Sequence, residues 1–199
     1  MRKSKTFPMI MRIYRLIFLT LSSVLLIYLL LPNPNYPQEI TNIKTVRSTE
    51  PGDSESILRR GYYTDANRYE VLKFYSVEFN NILGIHIPTY KLNYPPEEAQ
   101  TLIRDQTRST FLEEIVHPMR ESLFVNGFEP KEDKDAIIIN KTNFRQKITV
   151  KYLPSRVFDR IVLAMLLLTT IWHFNLFLYK ELLLLYRFFS HYGFKHNNY

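Results

Sequence analysis

Apolar positions crowd into two blocks, 13–31 and 161–189, and a mixed polar stretch separates them. The first block, IYRLIFLTLSSVLLIYLLL, has nineteen residues. As an α-helix it reaches roughly 28 Å, close to the hydrocarbon thickness of a bilayer, and it predicts a transmembrane helix over 13–31. Arg15 falls in its first turn, where a long side chain can snorkel to the headgroups. Pro32, Pro34 and Pro37 end it. The run exceeds a signal-peptide core, and no small-x-small cleavage pattern follows before PNPNYPQ, so an uncleaved signal anchor is expected.

The second block, RIVLAMLLLTTIWHFNLFLYKELLLLYRFF, takes in polar residues. Ile161 to Tyr179 again supplies nineteen residues and predicts a second transmembrane helix over 158–180. At 100° per residue, Thr169, His173, Lys180, Arg187 and His191 fall within about 40° of one another. The polar residues are therefore a seam on one continuous helix, expected to face the first span or a partner. His173 is expected as a neutral imidazole bonded to Thr20, Ser22 or Ser23. An ionisable group at membrane depth is a candidate functional residue. Lys180 and Glu181 mark the interface, and 181–199 reads as an amphipathic tail along that surface or into a partner.

Between the blocks, 32–53 is rich in Pro, Asn, Thr and Ser and reads as an extended linker. Residues 54–155 suffice for one modest core. DANRYEVLKFYSVEFN predicts a helix with Asp65 as N-cap and a very aromatic face of Tyr69, Leu72, Val77 and Phe79, with Phe74 and Tyr75. IPTYKLNY alternates as a strand does, with Tyr90, Leu92 and Tyr94 on one side. YPPEEAQ has the marks of a helix start. That helix runs through Leu102, Ile103, Gln106, Leu112, Ile115 and Val116 to Pro118, or bends onward through PMRESLFV to Asn126-Gly127. DAIIIN and FRQKITVKYLP predict one antiparallel hairpin, with Phe144, Gln146, Ile148, Val150 and Tyr152 facing the core. The predicted class is α+β: a small extracytoplasmic domain, helices packed on an antiparallel sheet, flanked by two transmembrane α-helices.

Charge settles what the basic balance means. The formal net charge is +7. Residues 1–15 carry Arg2, Lys3, Lys5, Arg12 and Arg15 with no acid, whereas 33–160 hold 18 basic against 18 acidic side chains. A nucleic-acid binder needs its basic patch on the folded domain, so no nucleic-acid partner is expected. The five N-terminal cations instead determine topology. They predict a basic cytoplasmic tail over 1–12, residues 33–157 outside and both termini inside, in a bacterial cytoplasmic membrane.

The chemistry is sparse. With no Cys there is no disulfide, thiolate metal site or cysteine nucleophile. His86, His117, His173, His191 and His196 form no metal-binding pattern. Glu114-x-x-His117 places a carboxylate and an imidazole on neighbouring helix positions, which reads as a surface pair near a helix end. No phosphate-cradling loop or nucleophile elbow occurs, so no catalytic residue, cofactor site or metal site is assigned. The leading reading is a non-enzymatic two-span membrane protein whose domain contacts a partner protein or the envelope. The lipid bilayer and a protein partner or second copy meeting the spans are its expected partners. Two other readings stand beside it: a ligand-sensing domain acting through a partner, and an envelope enzyme resting on Glu114, His117 and Asp105.

Overall fold

The computed structural model describes residues 6–98 and 109–196. The chain divides into two compact units, 31–156 and the paired terminal segments 1–30 with 157–199.

The 31–156 unit is α+β. Its six-stranded antiparallel sheet has the order β1-β2-β10-β7-β6-β5. The strands are β1 (Thr45–Arg47), β2 (Arg59–Thr64), β5 (Tyr90–Tyr94), β6 (Phe111–Val116), β7 (Ser122–Phe128) and β10 (Gln146–Leu153). Helix α2 (Arg68–Asn80) covers one face, burying Val71, Leu72, Tyr75 and Phe79. They pack with Tyr62, Phe111, Ile115, Leu123, Val125, Ile148, Val150 and Tyr152 of the sheet. Two short hairpins, β3–β4 (Asn81–Ile82 with Ile85–His86) and β8–β9 (Ile137–Ile139 with Thr142–Phe144), stand apart from the sheet.

Alternation reads correctly in β5 and β10, the strands whose two faces differ in polarity. Elsewhere the structure corrects the sequence reading. Helix α2 begins two residues later than an Asp65 cap implies. Asn67 is the N-cap, and its side chain and that of Glu70 close a reciprocal capping box. The helix expected through Leu112, Ile115 and Val116 is strand β6, and PMRESLFV supplies a turn and β7 rather than a bent helix. Residues 96–98 are helical as expected, while the stretch with Leu102, Ile103 and Gln106 lies outside the described residues. The hairpin expected from DAIIIN and FRQKITVKYLP is only β8–β9, turned at Asn140 and Lys141, both at positive φ. After it, β10 leaves to pair with β2 and β7. Residues 32–53, read as a linker, belong to the folded unit: Ile40 is buried in the core and 45–47 form an edge strand.

Gly127 marks how closely this sheet is filled. It pairs with Phe111 across β6–β7, and a Cβ there would overlap the Phe111 ring at Cε1. Phe111 also carries the Arg68 guanidinium over its ring at 5.3 Å. Gly127→Ala must push the ring out of place, and a cost of about 1–3 kcal/mol is expected. Urea unfolding of the purified chain in detergent, followed by far-UV circular dichroism, measures it.

The second unit pairs two helices, α1 (Thr6–Leu30) and α3 (Val157–His196). Both are long and apolar enough to cross a membrane. The less exposed positions of α1 are 11, 14, 18, 22, 25, 26, 28 and 29, and those of α3 are 160, 161, 164, 168, 172, 175, 176, 179 and 183. Most of these positions recur at steps of three and four, the spacing of a seam between two packed helices. Phe18 of α1 meets Trp172 of α3 on it, ring centroids 5.3 Å apart. At forty residues, α3 is one helix about 60 Å long.

Candidate functional site

Ionisable side chains are brought together at the hairpin between β6 and β7. His117-Pro118-Met119-Arg120 forms a turn in which the Arg120 amide donates to the His117 carbonyl at 2.9 Å. Proline presets the second position, and Met119 takes the third at φ 63°, the pattern of a type II turn. The His117 amide then donates to the Glu121 carbonyl at 3.0 Å and closes the loop. This geometry turns His117, Arg120 and Glu121 inward, where they are 0 %, 9 % and 1 % exposed.

Glu121 is the hub. Arg120 Nη2 lies 3.1 Å from its Oε1, and Arg120 Nε donates to Oε2 at 3.3 Å. His117 Nδ1 is 2.9 Å from the same Oε1, at an angle outside hydrogen-bond geometry. The imidazole stacks on Phe79 at 4.5 Å and 20°. Phe79 meets Tyr152 edge-on at 6.2 Å, and Tyr152 meets Tyr36 the same way.

The cluster holds the start of the unit. Arg120 Nη2 donates to the carbonyls of Leu31 at 3.1 Å and Pro32 at 2.7 Å. Beside it, Asn33 Nδ2 donates to Ser155 O at 3.0 Å, and Tyr36 OH to Val150 O at 2.9 Å. The chain thus enters the unit at Leu31 and leaves it at Arg156 with the two segments hydrogen-bonded together. Burial pushes the Tyr36 phenol well above its ordinary value. Residues 35–38 continue into the wall of an open, largely polar groove of about 460 Å³, completed by Glu78, Asn81, Leu83 and Gly84.

Two further charge groups serve the sheet. Glu113 is fully buried, paired with Arg68 and lying 3.8 Å from Lys91 Nζ. Lys147 Nζ joins Glu50 at 2.7 Å and buried Asp53 at 2.8 Å. Burial opposes the Lys147 charge, but its bonds to Asp53 and Glu50 outweigh that and raise its pKa, while the Lys147 bond holds Glu50 below its usual range.

The expected Glu114–His117 surface pair does not form. In β6, Glu114 accepts a bond from Tyr94 OH at 2.8 Å, which raises the Tyr94 phenol, whereas His117 is buried against Phe79. Asp105, Arg2, Lys3 and Lys5 lie outside the described residues. Arg12 and Arg15 are exposed on α1. Thr169, His173, Lys180 and Arg187 are all exposed on α3, about a quarter turn from the face that packs on α1. His173 does not bond to the first helix: Thr20 and Ser23 donate to their own helix carbonyls, at 2.9 Å to Leu16 and 2.8 Å to Leu19.

Among the described residues no three His, Asp or Glu side chains converge as a metal site. Comparison with protein-family models, curated proteins and solved structures finds no match.

Proposed function

We propose that the chain is a two-span membrane protein of a bacterial cytoplasmic membrane that presents its α+β unit outside. There the unit contacts a protein partner or the envelope, as a small subunit of a membrane complex. The observation that carries this reading is the stapled base of the 31–156 unit. Arg120 holds Leu31 and Pro32, and Asn33 ties that segment to Ser155, so both chain ends of the unit emerge together. Chain ends that emerge together suit a hairpin of two apolar helices. Five N-terminal cations without an acid support a cytoplasmic N-terminus, and an even number of crossings returns the C-terminus to that side. The unit offers buried ionisable groups to its own packing rather than to an open reactive cleft, which favours binding over catalysis.

Paired topology reporters test this. Alkaline phosphatase fused after Lys134 is expected to be active and green fluorescent protein at that point dark, with the opposite result after Tyr199. Fluorescence from the Lys134 fusion would overturn the orientation.

A further inference from the structure

The stripe Thr169, His173, Lys180, Arg187 is left facing outward from the helix pair. On the two-span reading, we propose that it is the docking face for a transmembrane helix of a different protein, one that presents a carboxylate level with His173. Three other polar side chains of α3 bond to their own helix. Thr169 Oγ1 donates to the carbonyls of Met165 at 2.8 Å and Leu166 at 2.9 Å, Thr170 to Leu166 at 2.8 Å, and Asn175 Nδ2 to Ile171 at 2.8 Å. The His173 imidazole makes no such bond to its own helix. His173, Lys180 and Arg187 make no hydrogen bond or ion pair among the described residues.

Depth separates the three side chains. His173 is twelve residues beyond Ile161, about 18 Å along the helix and inside the hydrocarbon layer, where an unpaired polar side chain is costly. Lipid phosphates lie at the level of Lys180, too far out to satisfy it. A second copy is the wrong occupant as well. Two copies inserted with the same orientation place identical residues at identical depth, so a symmetric contact along this stripe sets Lys180 against Lys180 and Arg187 against Arg187. The stripe carries no acid of its own. Glu181, the nearest, projects about 100° away round the helix. Complementarity therefore calls for a carboxylate from another sequence: one opposite His173, where the pair forms a charge-assisted hydrogen bond, and acidic groups near Lys180.

Energy transfer in phosphatidylcholine vesicles tests the match. The full chain, which has no Cys, is labelled through a cysteine added after Tyr199. The probe is a labelled Leu-Ala transmembrane peptide bearing at the His173 level a single Glu, Lys or Leu. The Glu peptide is expected to associate about five- to thirtyfold more tightly than the Leu peptide. The gain should disappear with His173→Leu and survive Phe174→Leu, a change at an exposed position off the stripe. Equal association of the Glu and Leu peptides overturns the inference. So does self-association of the chain that His173→Leu abolishes, which assigns the face to a second copy. Loss of the Glu preference when phosphatidylglycerol replaces part of the phosphatidylcholine assigns the stripe to lipid and overturns it too. Alkaline carbonate extraction of the same vesicles separates the two readings: a stripped chain defeats the two-span reading itself, whereas a retained chain without Glu preference defeats only this inference.

Discussion

Glu121→Ala is expected to cost the 31–156 unit about 3–5 kcal/mol, because it removes the carboxylate that two buried side chains share. Arg120 keeps its charge but loses the carboxylate that bonds Nε and Nη2, and His117 loses the neighbour of Nδ1. At 9 % and 0 % exposure, neither can turn to water without opening the hairpin. That loss is a large part of what a domain of this size has to spare. The damage should also reach the base, since the guanidinium that holds the Leu31 and Pro32 carbonyls would no longer be braced. Glu121→Gln keeps the shape and one acceptor without the charge, and should fall between wild type and Ala. Urea unfolding in detergent measures the stability, and limited proteolysis reports the base as faster cutting within 31–44. A loss below about 1 kcal/mol would mean that Glu121 contributes little beyond offsetting its own desolvation.

This cluster was hidden in the sequence for a definite reason. Pro118 ends a helix, but it equally presets the second position of a β-turn, and the residues before it fit both readings. Strand β6 lies between two others and is buried on both sides: Phe111 and Ile115 face α2, while Leu112 packs with Phe124 on the opposite face. A strand covered on both faces loses its period-two signal, and β7 loses it in the same way. Glu113 added to the deception. An adjacent acidic pair looks like a solvated helix surface, yet in a strand its members part, and Glu113 goes fully inside under Arg68. By contrast, β5 and β10 kept alternating polar and apolar positions, and both could be read as strands, although Tyr90 of β5 is 58 % exposed. The two apolar helices were legible because membrane length and composition are coarse properties. The stripe on α3 followed from angular arithmetic, but its direction depended on which face packs against α1. The missed signals were the capping box at Asn67 and Glu70, three residues apart, and the aromatic pair Tyr62-Tyr63 in β2.

Phe79→Ala is expected to be comparably damaging, about 3–5 kcal/mol, for a different reason. The ring is fully buried and links the apolar core to the charged hairpin, with His117 stacked on one side and Tyr152 edge-on at 6.2 Å. Truncation leaves a cavity lined by a polar ring that cannot collapse into it without abandoning Glu121. The stack itself, beyond the lost area, is worth about 0.5–1.5 kcal/mol. A double-mutant cycle isolates it: Phe79→Ala combined with His117→Ala should fall short of the sum of the single losses by that amount. Phe79→Leu fills most of the volume and should recover much of the stability but none of the coupling. Strict additivity of Phe79→Ala and His117→Ala would show that the two side chains are neighbours without being partners. The charged hairpin would then rest on Arg120 and Glu121 without help from the ring stack.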